Sequence, residues 1–169
     1  MDWFGKGIMV GLIVALGAFF GGGWYTAGFI QGGTSMDPAV ADGARVFVNY
    51  KAWAGGEPKR GQLVVFRPVG EEGLLLRRVI GLPGETIEIN NSELIINGQK
   101  VPEPWLDVVN APPKVENPSP EWFPATTVPA GAFFVLADSR KGTKDSRTFG
   151  AIPRERILGR AWTLFGMTF

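Results

Sequence analysis

The amino-terminal part of the chain is a long uncharged segment. No Asp, Glu, Lys or Arg occurs between Lys6 and Asp37, and residues 7–30 are mostly apolar. About 20 apolar residues in helical form are enough to cross the hydrocarbon core of a bilayer. The sequence therefore predicts a short cytoplasmic terminus at residues 1–6, a transmembrane anchor at 7–30 and an extracytoplasmic domain at 31–169.

The same segment fits a second interpretation, a cleavable signal peptide. Lys6 precedes an apolar run, Ile8–Phe20, of suitable length, and Thr26-Ala27-Gly28 offers small residues for cleavage. Several glycines lower the helix propensity of the segment under either interpretation. Composition alone leaves both open.

The chain changes character after Asp37, where short β-branched and aromatic runs are separated by glycine and proline about every ten residues. This pattern predicts a mainly β domain. The candidate strands are Arg45–Tyr50, Gln62–Arg67, Leu74–Ile80, Thr86–Asn90, Glu93–Asn97, Ala132–Ala137 and Ile157–Phe165. Asn91-Ser92 is predicted to close a hairpin between two of them. Residues 102–129 contain eight prolines and are predicted to form a long loop or cap on the sheet.

The composition of the 169 residues excludes several kinds of chemistry. Neither histidine nor cysteine is present, so a Ser-His-Asp triad, a thiol nucleophile and a cysteine-ligated metal are impossible within the chain. The formal net charge of +1 leaves no basic surplus for nucleic acid. Hydrolysis would need a hydroxyl activated by lysine, or carboxylates, and no metal or cofactor is expected.

One hydroxyl stands out by its position. Ser35 lies in the segment Gly32–Pro38, directly after the apolar run, where glycines would let a substrate backbone approach closely. A juxtamembrane linker is the alternative interpretation, because Gly, Ser and Thr are ordinary linker residues.

Further segments resemble, in order and spacing, the sequence boxes of the bacterial type I signal peptidases. Ser35-Met36-Asp37-Pro38 resembles the S-M-x-P nucleophile box, and Arg60–Phe66 resembles the R-G-D-hydrophobic strand. Arg77–Glu85 is similar to K-R-V-x-G-x-P-G-D, and Ile95–Val101 to the following I-N-G-x-x-V. Asp138–Gly150 resembles D-N-R-x-x-S-x-D-S-R-x-x-G. The resemblance spans most of the chain.

The resemblance implies a Ser-Lys dyad, in which a neutral lysine takes the proton of the attacking serine. The matching residues are Ser35 and Arg77. Burial can shift a lysine pKa by about 3 to 5 units, which makes it a usable base. Lowering a guanidinium pKa from about 13.8 to 7 would cost roughly 9 kcal/mol. Arg77 is therefore predicted to be a permanently charged group that holds a carboxylate, a loop or a peptide carbonyl.

The resemblance also implies supporting roles. Asp145 and Arg147 match an ion pair beside the active site, and Thr143 matches a hydroxyl that hydrogen-bonds the dyad lysine. The Ser35 backbone N–H would form half of an oxyanion hole, with Gly33 at the position of the second donor.

Five more residues are candidates with an alternative interpretation. Met36, Leu75 and Leu76 would line small S1 and S3 pockets, or else are core residues. Lys141 and Lys144 could supply a relocated amine, although lysines among glycine and threonine are also typical of a solvated loop.

The implied fold is an antiparallel, barrel-like β domain behind one transmembrane helix in the bacterial cytoplasmic membrane. The implied function is a serine endopeptidase that removes signal peptides from secreted precursors after small residues at P3 and P1. Membrane lipid and the precursors are the implied partners, and the oligomeric state is left open. Arg77 favours an alternative, a catalytically impaired relative that binds precursor or pilin segments. A relative that matures conjugation pilins is a third hypothesis.

Overall fold

The structure, a computed structural model, describes residues 26–106 and 121–163. The strands of this part are β1 (Thr26–Ile30), β2 (Arg45–Asn49), β3 (Leu63–Phe66), β4 (Leu75–Gly81), β5 (Thr86–Asn90), β6 (Glu93–Ile96), β7 (Gln99–Lys100), β8 (Phe123–Thr127), β9 (Ala132–Leu136), β10 (Ile152–Pro153) and β11 (Ile157–Thr163). The short helices are the 3₁₀ turns Pro104–Leu106 and Arg154–Arg156 and the single-turn α1 (Ser146–Phe149). The predicted mainly β class is confirmed.

The strands form two antiparallel sheets. The seven-stranded sheet has the order β1-β2-β11-β3-β4-β9-β10, and the four-stranded sheet has the order β7-β6-β5-β8. All strand pairs within the described residues are antiparallel. In the larger sheet β4 lies between β3 and β9, so its backbone is hydrogen-bonded along both edges, and its residues from Leu76 to Gly81 are buried.

The hairpin between β5 and β6 is confirmed. Asn90 pairs with Glu93 across the turn. Asn91 and Ser92 have φ values of 51° and 65°. Two consecutive left-handed residues are what a two-residue type I′ turn requires, and its twist matches that of the strands it joins.

The end of the predicted anchor is a strand instead. Within 7–30, the residues Thr26–Ile30 pair with β2 in continuous register. The backbone of these residues is therefore hydrogen-bonded in a sheet rather than in a helix, and Phe29, which is 8% exposed, packs into the core. Residues 7–25 lie outside the described ranges. Among the residues described, no helix has the length and apolar character needed to cross a membrane.

The predicted loop 102–129 contains strand β8, so the prediction of a loop or cap is wrong for Phe123–Thr127. β8 pairs with β5 at the edge of the smaller sheet. Its register shifts between the pairs Ile87↔Thr126 and Ile89↔Phe123, a stretch that includes Pro124. An edge strand with an irregularity tolerates proline because the missing N–H need not enter a ladder. Residues 107–120 lie outside the description.

One buried cluster supports the segment that carries Ser35. It joins residues of β1, β2, β3, β4 and β11 to the loop after β1 and to the residue that follows β9. Its members are Phe29, Met36, Val40, Val46, Val48, Val65, Leu76, Ala137 and Ala161. Because Met36 immediately follows Ser35, burial of its side chain fixes the position of the serine against the sheet.

Candidate functional site

Ser35 lies in the loop between β1 and β2, and both ends of this loop are tied together. The Gln31 N–H donates to the carbonyl of Ala44 at 2.9 Å, and the Gly43 N–H donates to the carbonyl of Gln31 at 2.9 Å. Met36 is fully buried, while Ser35 itself is half-buried. The loop therefore holds the hydroxyl at the surface of a packed core rather than on a free linker.

Arg77 reaches Ser35 from the central strand β4. Its Nη1 lies 3.2 Å from the Ser35 Oγ, although the two residues are 42 positions apart in the chain. The arginine is only 5% exposed. The two residues that match the Ser-Lys dyad thus meet in space.

The guanidinium is held mainly by backbone carbonyls. Nε and Nη2 donate to the carbonyl of Lys144 at 2.9 and 2.7 Å, and Nη1 donates to the carbonyl of Leu76 at 2.6 Å. No carboxylate of the described residues lies within ion-pair distance of Arg77. Of the three predicted alternatives, the loop and the peptide carbonyl are both observed, because the carbonyl of Lys144 belongs to the loop between β9 and α1.

Burial lowers the pKa of Arg77 to about 10, and the more distant carboxylate of Asp145 opposes this shift. At pH 7 a group with that pKa is neutral in about one molecule in a thousand. A general base must offer a lone pair, which a guanidinium lacks while it is charged. At neutral pH Arg77 therefore donates a hydrogen bond to the Ser35 Oγ and does not accept its proton.

Gln31 is a second donor to the serine, and sequence reasoning missed it. Its Nε2 lies 3.3 Å from the Ser35 Oγ and 3.3 Å from the carbonyl of Gly33. The side chain is only 3% exposed. Phe29 is buried and Ile30 is exposed, so strand alternation directs position 31 inward. That alternation was hidden because residues 7–30, which include Phe29 and Ile30, were predicted to be a membrane helix.

Gly33 is exposed, and its backbone is committed to the loop. Its N–H donates to the Asp42 Oδ1 at 2.7 Å, and its φ of +82° lies in the left-handed region that favours glycine. The backbone donor of Gly33 therefore already has a partner. The role of the Ser35 N–H in an oxyanion hole stays a prediction. The Ser35 carbonyl accepts from the Ser139 N–H at 3.1 Å, which joins the nucleophile loop to the last sequence box.

Thr143 lies near the site but does not contact Arg77 through its hydroxyl. Its Oγ1 donates to the carbonyl of Ser139 at 2.8 Å and lies 3.5 Å from the Arg147 Nη2. The single hydroxyl proton is used within the loop. Thr143 therefore supports the loop rather than the side chain at the dyad position.

Asp145 and Arg147 form the predicted ion pair. The Asp145 Oδ2 lies 2.7 Å from the Arg147 Nη2, and Oδ1 accepts from the Arg147 Nε at 2.8 Å. Asp145 is fully buried and also caps α1, because Oδ1 accepts from the Arg147 backbone N–H at 3.0 Å. Its Oδ2 accepts from the Ala137 N–H at 3.1 Å. These bonds connect the last box to the end of β9.

The lysines of the last box do not approach the serine. The Lys144 Nζ lies 2.5 Å from the Glu71 Oε1, and the lysine side chain is 63% exposed. Only the backbone carbonyl of Lys144 enters the site. Lys141 is exposed as well. The prediction that Lys144 could supply a relocated amine is therefore wrong, because its side chain points to solvent and pairs with Glu71.

The three predicted pocket residues do not share one surface. Met36 and Leu76 are 0% and 1% exposed and pack in the cluster under Ser35. Leu75 packs against a different cluster, with Phe66 and Phe133 among its members. Successive residues of a strand face opposite sides, so Leu75 and Leu76 cannot line the same pocket wall.

A buried charge network borders the site. Arg78 donates to Asp138 from Nε at 2.8 Å and from Nη2 at 2.5 Å. Arg140 is ion-paired with Glu103. Burial raises the pKa of Asp138 and of Glu103, although the arginine partner of each opposes the shift. Arg78, Asp138 and Arg140 lie within the sequence boxes and Glu103 lies outside them, and the resemblance assigned none of the four a role.

The fold and the site define a β protein in which a serine is paired with a basic side chain other than histidine. A family model described as "Signal peptidase, peptidase S26" matches residues 3–165. The chain therefore belongs to the signal peptidase family S26.

Two relatives and one solved structure illustrate the similarity. Signal peptidase I of Bacillus amyloliquefaciens is 33% identical, over 98% of this chain and 87% of that protein. Signal peptidase IB of Staphylococcus aureus is 35% identical, over 76% of this chain and 71% of the relative. A crystal structure of a signal peptidase I from Enterococcus faecalis matches with 32% identity and a TM-score of 0.51, over 62% of this chain and 96% of the other. This likeness confirms the predicted mainly β, antiparallel domain, and the barrel-like form that was predicted is a curled half-barrel.

Proposed function

We propose that the chain binds the cleavage region of signal-peptide-bearing precursors, with Ser35 as the nucleophile facing the scissile carbonyl. Family membership supports signal peptide removal as the related activity. The observation that carries the assignment of Ser35 is the geometry at its hydroxyl. The Oγ lies 3.2 Å from a nitrogen of Arg77, on a loop joined to the last sequence box. Cleavage after small residues at P3 and P1 is the specificity that the resemblance implies.

The same geometry limits the rate at neutral pH. Ser35 can attack a carbonyl only as its proton leaves, and the basic side chain beside it is charged. The two N–H donors at Oγ favour negative charge on that oxygen, but they do not remove the proton. We therefore propose slow turnover together with intact precursor recognition.

Recognition without turnover is the second candidate function, and one observation favours it. Three of the guanidinium's hydrogen bonds go to the carbonyls of Lys144 and Leu76, so Arg77 is accommodated without carboxylate neutralisation. A binding module for precursor or pilin segments needs the site's shape but not its base.

We also propose a location for the domain. The part of the uncharged run that precedes β1, residues 7–25, would anchor the chain in the cytoplasmic membrane as a single pass, with the β domain on the extracytoplasmic side. The serine would then lie close to the bilayer that holds a precursor's signal peptide. Membrane lipid is the second proposed partner.

The test uses the full chain in an uncharged detergent with a precursor that carries Ala-x-Ala before its cleavage site. Slow cleavage is expected from the parent and none from Ser35→Ala, with similar precursor affinity for both. A Lys141→Gln variant, altered on an exposed loop, serves as the control. Cleavage that persists in Ser35→Ala would refute the nucleophile assignment. A precursor that fails to bind either protein would refute the proposed function.

A further inference from the structure

Arg77 differs from the other arginines near the site. Buried Arg78 is paired with Asp138, and half-buried Arg147 is paired with Asp145. Arg77 is more deeply buried than either, yet within residues 26–106 and 121–163 no carboxylate lies at ion-pair distance from it. Carbonyl oxygens accept from its donors, and the carboxylates of Asp145, Asp138 and Glu71 act only from longer range and do not offset the cost of burying the charge. A buried cation without a direct ion-pair partner favours an anionic ligand at any position that the ligand can reach.

The reachable position is Ser35. Its Oγ receives hydrogen bonds from Arg77 at 3.2 Å and from Gln31 at 3.3 Å. Both neighbours are donors, so the hydroxyl proton is directed away from them and can bond an incoming oxygen. Ser35 is half-buried and follows the exposed residues Gly33 and Thr34, which leaves this side of the hydroxyl open. The site therefore presents one open donor, the Ser35 hydroxyl, in front of a buried positive charge, and a carboxylate is the complementary group.

We propose that this site binds the carboxyl-terminal carboxylate of a peptide, namely the product that remains when a precursor is cut on the carboxyl side of its signal peptide. This inference rests on the proposed function, because the peptide must enter the site as a precursor does. One carboxylate oxygen accepts from the Ser35 hydroxyl, whose Oγ is held in place by Arg77 and Gln31. The charge of Arg77, behind the serine, supplies the attraction.

An uncut precursor has a neutral carbonyl at this position, so it gains less from the buried charge than the product does. The protein would consequently retain cleaved signal peptides and be inhibited by them. A lysine that becomes neutral in the same place would offer no such attraction. Product retention is therefore specific to the arginine.

The experiment compares three peptides on the full chain in uncharged detergent at pH 7. One spans the cleavage site, one ends at the small P1 residue with a free carboxylate, and one is identical but ends in a carboxamide. We expect the acid to bind about tenfold more tightly than the amide. The preference should persist from about 0.05 to 0.5 M salt, because a buried charge is screened much less than a surface one.

Matched variants identify the cation. Arg77→Gln should bring acid and amide to equal affinity, whereas Lys141→Gln, which removes the same charge from an exposed loop, should keep the preference. The acid–amide comparison on the unmodified protein decides the question even if Arg77→Gln does not fold. If the acid and the amide bind the unmodified protein with equal affinity while the spanning peptide also binds, the inference is overturned and the proposed function stands. If none of the peptides binds, the proposed function fails too. A preference that survives in Arg77→Gln would assign the carboxylate to another cation and overturn the inference.

Discussion

Replacing Arg77 by lysine should restore a general base to Ser35. With a pKa of about 10, the guanidinium is neutral in about one molecule in a thousand at pH 7. A lysine at a site that is 5% exposed is subject to the same burial, and a lowering of about 2.5 units, as for Arg77, brings its pKa from about 10.4 to about 8. About one molecule in ten would then carry a usable amine at pH 7. The availability of the base rises by a factor of about a hundred, and we expect cleavage at pH 7 to rise by up to that factor.

The assay is cleavage of an Ala-x-Ala precursor in detergent between pH 6 and 10, with the parent and Arg77→Lys measured side by side. The parent rate should climb about tenfold per pH unit as Arg77 loses its proton, and the variant should level off above about pH 8. Ser35→Ala in both backgrounds corrects for hydrolysis that does not use the serine. Equal rates at pH 7 with the same pH profile would refute the assignment of position 77 as the base.

Three further predictions concern stability and processing. Asp145→Ala should lower the free energy of unfolding by about 3 kcal/mol, because it removes a fully buried carboxylate that accepts from Arg147, from the Ala137 N–H and from the first turn of α1, and leaves Arg147 only its pair with Glu121. Lys141→Ala should change it by less than about 0.5 kcal/mol, and urea unfolding in detergent measures both. Burial raises the pKa of Glu103 in the folded state, so its contribution to stability is full below the unfolded value of about 4.3 and is lost as pH rises through the folded pKa. Glu103→Gln should flatten the decline of unfolding free energy above that pH, and an unchanged slope would contradict the reasoning. Intact-mass analysis of the membrane-expressed protein should find residues 7–30 still attached, and a form that starts near Gly28 would show that the segment is a cleaved signal peptide.

The sequence predicted best those features that depend on neighbouring residues. The hairpin at Asn91-Ser92 follows from a local turn preference, and the strands around it follow from alternation along a few residues. The ordered boxes predicted that Ser35 and Arg77 meet, and that Asp145 and Arg147 pair. The class of chemistry at position 77 also followed from the sequence, because the charge of a guanidinium is a property of the residue type.

Strands β1 and β8 were missed for one physical reason. A strand's backbone bonds are made with another segment, so the residues of the strand do not carry the whole signal. The residues Thr26–Ile30 continue an uncharged, mostly apolar run, and only their pairing with β2 shows that they form a strand. The β8 segment contains a proline, which a sheet tolerates at an edge position such as the one β8 occupies.

The partners of the buried polar groups were decided by the tertiary structure alone. The carbonyl that holds Arg77 belongs to Lys144, 67 residues away, and the side chain of that lysine turns to Glu71 instead. Gln31 contacts Ser35 only because β1 directs its side chain inward. Residue types determine which groups can donate, accept or carry charge. The packing of distant strands and loops decides which of these groups meet and which buried charge is left without a direct ion pair. A hydrogen bond or an ion pair joins two positions in space, and the order of residues along the chain does not specify that contact.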